Sequence, residues 1–151
     1  MAHVRPATDK DVPRILELYD ELTIQLSQVE QTRYLTPDDA LKVFADISAD
    51  PRHDIFVLED RGEVVGTVVL LIVPNLSHSA TPWALLENLV VSEKYRRRGF
   101  GRMLLEHAVS RAREKGCYKA QLMSDKRREE AHELYGAIGF EASAYGFRLY
   151  F

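Results

Sequence analysis

Residues 89–105 read LVVSEKYRRRGFGRMLL, an apolar run that leads through a basic, glycine-containing turn into an amphipathic helix. The apolar run, residues 84–91, predicts a buried strand, and residues 100–115 have helical spacing. The first turn of a helix has unpaired backbone N–H groups and the positive end of the helix dipole, so it attracts anions. Gly99 and Gly101 allow a ligand to approach closely because they lack a Cβ atom. This junction is therefore predicted to bind a phosphate-bearing cofactor.

Basic residues are concentrated around this turn. Residues 93–128 carry 12 of the 20 lysines and arginines but only 4 of the 23 aspartates and glutamates, so this segment is +8 and the remainder is −11. A solvated basic face would have the same composition, but the position of the charges beside the glycines fits a polyanionic ligand. The pI of about 6.0 and the acidic remainder disfavour an extended phosphate backbone, so no nucleic-acid partner is expected.

Length and composition predict one domain, residues 1–151, because 151 residues with 46% hydrophobic side chains can bury one substantial core. No stretch approaches 18 consecutive apolar residues, and the first residues do not resemble a signal peptide, so we expect a cytoplasmic protein without a membrane partner. The single cysteine, Cys117, excludes an internal disulfide framework and suits a reducing compartment.

The remaining periodicities predict a mixed α/β fold. Thr8 with Asp11, and Thr36 with Pro37, are typical of helix starts, and residues 59–63 have the composition of a hairpin turn. Residues 28–35 have no clear period and could form a substrate lid or a simple connection. The predicted strands are residues 3–6, 54–58, 64–73, 84–91, 118–123 and 146–151. Two helices are predicted to begin near residues 12 and 36, and two more to span residues 100–115 and 127–137. Residues 74–82 are predicted to form a loop.

Two common phosphate-binding motifs do not fit the turn. A Walker A loop needs a Lys-Ser or Lys-Thr pair, which is missing, and a dinucleotide fingerprint needs a third glycine where Leu104 stands. The turn instead resembles the central motif of the GNAT superfamily of acyl-CoA N-acyltransferases, (Arg/Gln)-x-x-Gly-x-(Gly/Ala), with Arg96, Gly99 and Gly101 in its positions. Residues 131–140, AHELYGAIGF, resemble the second signature of that family.

The resemblance implies a GNAT fold, a mixed and mostly antiparallel sheet of six to seven strands with a central splayed strand pair and about four flanking helices. It also implies acetyl-CoA as the cofactor. In the family, backbone amides of the turn hold the pyrophosphate, and the strand before it pairs with the pantetheine arm and offers the N–H matching Leu89 as an oxyanion donor. Arg128 departs from the asparagine that many members carry. The implied cofactor-binding residues are Leu89, Val90, Val91, Arg96, Arg97, Arg98, Gly99, Phe100, Gly101, Arg102, Arg128, Ala131 and Leu134.

Two residues are candidates for proton transfer. Glu87 interrupts an apolar strand, and strand alternation predicts that its side chain shares a face with that of Leu89. We expect Glu87 to act as the general base, although a carboxylate that orients the substrate or stabilises the structure would fit the same position. Tyr135 matches the family tyrosine that protonates the departing thiolate, and a core role in its helix is the alternative.

The acceptor is expected to be a primary amine of a small molecule, acetylated directly in a ternary complex. The branch of the family that Glu87-Asn88 and Gly116–Lys119 resemble acts on such amines, including amino-sugar phosphates. A protein or peptide amine, and a non-catalytic acyl-CoA-binding sensor, are the alternatives.

The five histidines lack metal-binding spacing, so no metal is expected. The apolar segment 147–151 could pair across a homodimer. The acceptor-pocket candidates from family topology are Tyr34, His78, Trp83, Asn88, Ser124 and Tyr145.

Overall fold

The structure, a computed structural model, describes residues 1–22 and 35–151. The described part of the chain forms a five-stranded sheet and five helices. In chain order the elements are β1 (His3–Pro6), α1 (Val12–Leu22), α2 (Pro37–Ala49), β2 (His53–Asp60), β3 (Glu63–Val73), α3 (Ser77–Ala80), β4 (Trp83–Val91), α4 (Phe100–Glu114), β5 (Ala120–Gln121) and α5 (Glu129–Ile138).

The sheet has the strand order β1-β2-β3-β4-β5. The first four strands pair antiparallel, and β4 and β5 pair parallel. The mixed, mostly antiparallel sheet that the sequence predicts is therefore confirmed, but the expected six to seven strands are not. Residues 146–151 alternate as a strand would, yet they form no strand and are exposed. Alternation predicts which face a strand would bury, whereas strand formation also needs a neighbour with free hydrogen-bonding groups.

Local sequence signals explain how the first elements begin. The side chain of Thr36 accepts a hydrogen bond of 3.1 Å from the backbone N–H of Asp39, which caps α2, and Pro37 occupies its first turn. Before α1, the backbone N–H of Thr8 donates to the Asp11 carboxylate at 2.8 Å. Arg5 donates two hydrogen bonds to the same carboxylate and lowers its pKa. The predicted starts of both helices are confirmed.

Helices cover the two faces of the sheet. On one face α4 buries Leu104, Leu105 and Ala108 against β2, β3 and β4. On the other face α1 buries Ile15 and Leu18 against the same three strands. The predicted loop at residues 74–82 contains the short α3 turn, which adds a fifth helix to the four expected. Within the ranges 1–22 and 35–151, no helix is long and apolar enough to cross a membrane.

A β-bulge in β4 reverses the alternation of its side chains. Thr67 of β3 pairs with Val90 and Val69 pairs with Glu87, so β4 has one extra residue between these two pairs. Asn88 occupies the extra position with φ of 53°, a left-handed conformation that asparagine tolerates better than most residues. Consequently Leu89 packs in the core on the α4 side, whereas Glu87 lies on the α1 face. The predicted common face of Glu87 and Leu89 is wrong.

Candidate active site

The turn between β4 and α4 presents backbone donors at the start of a long helix. Arg97 and Gly99 have φ of 61° and 78°, in the left-handed region, within the turn that ends where α4 begins at Phe100. Gly99 is the N-cap residue, and no side chain caps the helix there. The first N–H groups of a helix have no partner within it, so those of Phe100, Gly101 and Arg102 are available to an anion.

Gly101 allows α5 to pack tightly against this helix start. A Cβ atom on Gly101 would lie 3.2 Å from Leu134 Cδ2 and 3.9 Å from Val91 Cγ2. Ala131 and Leu134 of α5 are partly buried against the core on the α4 side. The structure thus brings the turn, the end of β4 and α5 together, as the resemblance implies for the cofactor site.

The arginine side chains of the turn each have an intramolecular contact. Arg96 Nε donates to the Val91 carbonyl at 3.1 Å, and Arg97 pairs with Glu130 of α5. Arg98 lies over the ring of Tyr95, and Arg102 pairs with Glu106 within α4. Arg97 and Arg102 are exposed and their ion pairs are weak, so a phosphate could displace either carboxylate. The Arg96 side chain, by contrast, folds back onto the strand.

β4 and β5 separate beyond their first two paired residues. They pair only at Ala84 with Ala120 and at Leu85 with Gln121, and in the described ranges no strand pairs with β4 on that side beyond Leu85. The predicted strand 118–123 is therefore reduced to Ala120–Gln121. The separation coincides with the bulge at Asn88, which leaves backbone donors of β4 available. This short pairing fits a splayed strand pair, but in the described sheet the pair lies at the edge and not at the centre.

Glu87 faces an open part of the α1 face. Desolvation of its carboxyl raises its pKa, and the nearby positive charge of Arg148 partly offsets this effect. A carboxylate with a raised pKa binds a proton more readily near neutral pH, which suits a general base. Arg148 belongs to the exposed segment after α5. This segment passes close to the residues that follow β5, because a Cβ atom on Gly146 would lie 3.1 Å from Met123 Cε.

Tyr135 is buried on the α4 side of the sheet. The residue is 8% exposed, and its ring lies beside those of Phe140 and His132, with centroid distances of 6.2 and 6.3 Å. Its carbonyl accepts hydrogen bonds from the backbone N–H groups of Gly139 and Phe140, so the Gly-Phe pair ends α5 directly behind it. Tyr135 and Glu87 therefore lie on opposite faces of the splayed strand.

Known proteins resemble this chain in sequence and in fold. The family model described as "Acetyltransferase (GNAT) family" matches residues 15–140. The chain belongs to the GNAT family. This places the turn and the splayed strand within a family of acetyltransferases and confirms the family that the two motifs indicate.

Among curated relatives of this GNAT chain, a Drosophila melanogaster protein named "Probable glucosamine 6-phosphate N-acetyltransferase" is 30% identical over 142 residues, which are 92% of this chain and 60% of that protein. The glucosamine 6-phosphate N-acetyltransferase of Trypanosoma brucei brucei is 32% identical over 95 residues, 63% of each chain. The GNAT chain thus spans about three fifths of the length of these two relatives. A solved structure from Agrobacterium tumefaciens str. C58 is 37% identical with a TM-score of 0.86, covering 98% of this chain and 99% of that one.

The residues predicted to line the acceptor pocket of the GNAT chain do not all lie close together. Asn88 lies at the bulge beside Glu87. Trp83 lies four residues before Glu87 on β4, which is about 13 Å along the strand. His78 stacks on Tyr118 with a centroid distance of 4.2 Å, and Lys119 Nζ lies 5.3 Å from the Trp83 ring centroid. His78 and Trp83 thus belong to an aromatic cluster at the start of β4.

The other candidates lie near α5 or outside the described residues. Ser124 Oγ is 3.2 Å from His132 Nε2, and Tyr145 is 86% exposed in the segment after α5. Arg128 is half-buried as the N-cap residue of α5, where asparagine is common in the family. Tyr34 lies outside the residues that the structure describes.

Sequence reasoning missed three residues near the splayed strand. Tyr19 of α1 hydrogen-bonds the side chain of Asn88, and burial raises the pKa of this tyrosine. Glu21, two residues later, contacts the segment before the turn. Arg148 lies close enough to Glu87 to affect its pKa. Only the helical period of α1 and the alternation of the last residues gave any signal, and neither pattern shows which strand a side chain will meet.

Two features of the described residues concern metal binding and the single cysteine. Across the ranges 1–22 and 35–151, no group of three or more histidine, cysteine, aspartate or glutamate side chains could hold a metal ion. Cys117 is half-buried, and desolvation raises the pKa of its thiol, which disfavours the nucleophilic thiolate.

Proposed function

We propose that this chain transfers an acetyl group from acetyl-CoA directly to the primary amine of a small molecule through a ternary complex. The carrying observation is the junction of an uncapped helix start, at Gly99–Arg102, with a splayed strand that bears Glu87 on its other face. The cofactor can then pair along the open edge of β4 while the amine approaches from the face of Glu87, so the two reactants meet at this edge without competing for space.

The residues at the junction fit acetyl-CoA. The turn offers backbone donors for a pyrophosphate, and the unpaired side of β4 after Leu85 offers hydrogen-bonding groups to an extended amide chain such as pantetheine. Leu89, Val90 and Val91 supply this part of the strand. Acetyl-CoA supplies a thioester, whose acyl carbon accepts an amine nucleophile.

Three groups of the chain carry the proposed chemistry. Glu87 accepts a proton from the substrate ammonium, because an amine with an ordinary pKa near 10 is almost wholly protonated at neutral pH. The Leu89 backbone N–H at the bulge donates a hydrogen bond to the carbonyl oxygen, where negative charge develops during attack. The Tyr135 hydroxyl gives a proton to the leaving thiolate.

We further propose that the acceptor amine carries a phosphate or a similar anionic group. Arg148 lies near Glu87, so an anion beside the amine would meet positive charge. Two curated relatives are named as glucosamine 6-phosphate N-acetyltransferases, which supports the same class of acceptor.

Matched amines test this proposal. The purified protein and acetyl-CoA are incubated with glucosamine 6-phosphate, glucosamine, other small amines and an amine-bearing peptide, and products are measured by mass spectrometry. We expect acetylation of small amines, with higher kcat/KM for phosphorylated ones. Acetylation of peptides alone would favour a protein acetyltransferase. Binding of acetyl-CoA without acetylation of any amine would favour a non-catalytic sensor.

A substitution of Glu87 separates catalysis from cofactor binding. Glu87→Gln is expected to lower kcat by about 10²- to 10⁴-fold while the affinity for coenzyme A stays unchanged, because the proton acceptor is lost and the turn is untouched. A kcat close to that of the wild type would exclude Glu87 as the base and leave it a structural or orienting role.

We also propose a homodimer in which segment 145–151 covers a second copy of the chain. Phe147 and Leu149 are 90% and 80% exposed, and Tyr145 is 86% exposed. Such a series of large apolar side chains is unusual on a monomer and typical of an interface. β5 has only two paired residues and ends the strand order, so it offers an edge for additional pairing.

A further inference from the structure

Glu21 of α1 contacts the segment that links β4 to the cofactor turn. Its Oε1 accepts a hydrogen bond of 3.1 Å from Ser92 Oγ, and its Oε2 accepts one of 2.7 Å from the backbone N–H of Glu93. Arg96 Nη2 lies 4.0 Å from the same Oε2. One carboxylate therefore joins α1 to three positions of a segment that is more than 70 residues away in sequence.

The segment that Glu21 contacts leads directly into the turn. Residues 93–95 form a single 3-10 turn, and the Glu93 N–H is one of its free donors, so Glu21 caps this turn from another element. Ser92 is 3% exposed, and its backbone N–H donates to the Val65 carbonyl at 2.8 Å. Arg96 is held on its other side by the Val91 carbonyl. The path of the chain into Arg97 is thus fixed on both sides.

Electrostatics alone would not favour a carboxylate at this place. A negative charge near a site for a pyrophosphate repels it, so removal of the charge by itself should strengthen cofactor binding. Glu21 therefore has opposite effects on an anion: its charge is unfavourable, whereas its hydrogen bonds order the donors of the turn. The two effects can be separated, because glutamine keeps an acceptor for the Glu93 N–H and lacks the charge.

We propose that Glu21 is a positioning residue for cofactor binding, which sets the turn at Arg97–Arg102 in its anion-binding conformation through Ser92, Glu93 and Arg96. This inference rests on the proposed function, since it assumes that the turn binds coenzyme A. Glu21 does not touch the reacting atoms, so its effect appears in the affinity for the cofactor and not in the chemical step.

Isothermal titration calorimetry with coenzyme A, together with steady-state kinetics, tests the inference. Glu21→Ala is expected to raise the Kd for coenzyme A and the KM for acetyl-CoA about tenfold, the size of effect expected from one lost hydrogen bond to a charged group. The kcat and the KM for the acceptor should stay within about twofold of the wild type. Glu21→Gln should recover most of the affinity, because its amide oxygen accepts the Glu93 N–H.

Two further variants make the test specific. Glu17→Ala is the matched control, because Glu17 lies one turn earlier on α1, is exposed and, among the described residues, pairs with Arg14. It should bind coenzyme A like the wild type. Ser92→Ala removes one partner of Glu21 and should weaken binding in the same direction, and its effect should not add fully to that of Glu21→Ala because both variants break one contact.

The outcomes distinguish this inference from the proposed function. If the wild type does not bind coenzyme A, the proposed cofactor site is wrong. If the wild type binds and Glu21→Ala binds as tightly as Glu17→Ala, only the positioning role is overturned. Tighter binding by both Glu21→Ala and Glu21→Gln would also overturn it, because repulsion by the charge would then outweigh the hydrogen bonds. Fully additive effects of Glu21→Ala and Ser92→Ala would show that the two side chains act separately.

Discussion

The pKa of Glu87 reflects two opposing influences, desolvation, which raises it, and the charge of Arg148, which lowers it. Removal of that charge in Arg148→Gln should raise the pKa of Glu87 further. A base works when it is deprotonated, so the acid limb of the kcat profile, measured at saturating acceptor, should move to higher pH. The rate at pH 6 should therefore fall more than the rate at pH 8.

Arg113→Gln is a suitable control for this titration, because Arg113 lies in the last turn of α4 and is exposed. Its pH profile should match that of the wild type. An acid limb that does not move in Arg148→Gln, or one that moves to lower pH, would mean that Glu87 is not the titrating base.

Tyr135 can be tested by the loss of one oxygen atom. Tyr135→Phe keeps the buried ring and its contact with Phe140, so the fold and the affinity for coenzyme A should change little. Turnover should fall tenfold or more, because the leaving thiolate loses its proton donor. Turnover measured with saturating acetyl-CoA and equal to that of the wild type would assign Tyr135 to the core alone.

At the scale of elements, local signals in the sequence predict most of the helices and strands correctly. Thr36-Pro37 marks the start of α2, the polar residues after Leu58 mark the hairpin, and the glycine motif marks the start of α4. These signals succeed because each depends on residues that are close in sequence. The resemblance to the family supplied the splayed strand, which composition and periodicity do not predict.

The position of the bulge and the fate of the last segment could not be predicted in this way. The extra residue of β4 depends on how β3 pairs with it, and a shift of one residue moves every later side chain to the other face. Asn88 was the available signal, since asparagine tolerates positive φ, but one asparagine does not identify a bulge. The segment 146–151 has the alternation of a strand, but its partner cannot be read from its own sequence.

Gly66 gives a test of how closely β3 must approach the bulge. A Cβ atom there would lie 3.0 Å from the Val90 carbonyl oxygen and 2.9 Å from Leu104 Cδ1, so Gly66→Ala requires the Val90 carbonyl and the buried Leu104 side chain to shift. We expect a loss of about 1–3 kcal/mol in the free energy of unfolding, measured in urea, together with a lower kcat/KM.

Gly136→Ala is the matched control for Gly66→Ala. Gly136 lies within α5, and a Cβ atom there would meet no atom within 4 Å. This substitution should stabilise the protein by about 0.5–1 kcal/mol, because alanine loses less backbone entropy than glycine in a helix. Equal stability changes for the two variants would contradict the importance of the close approach at Gly66.

At the scale of the whole molecule, the sheet separates the two halves of the proposed reaction. The turn, Leu89 and Tyr135 lie with α4 and α5 on one side, whereas Glu87 and Asn88 lie on the side of α1. The bulge makes this possible, because without the extra residue Glu87 and Leu89 would share a face. One irregular residue in β4 thus puts Glu87, the proposed base, on the α1 face, whereas the proposed cofactor site lies at the turn and along the open edge of β4.

The exposed segment 145–151 should determine the oligomeric state. The double substitution Phe147→Ser/Leu149→Ser replaces two exposed apolar side chains with polar ones. It should remove most of the hydrophobic driving force by which a second copy covers this segment. Light scattering after size-exclusion chromatography should give the wild type twice the chain mass of 17.3 kDa and the double variant a single chain mass. Leu76→Ser is the control, because Leu76 is 95% exposed on the loop before α3 and should leave the dimer intact. A wild-type protein that stays at one chain mass at tens of micromolar, or a double variant that stays dimeric, would show that this segment does not join two copies.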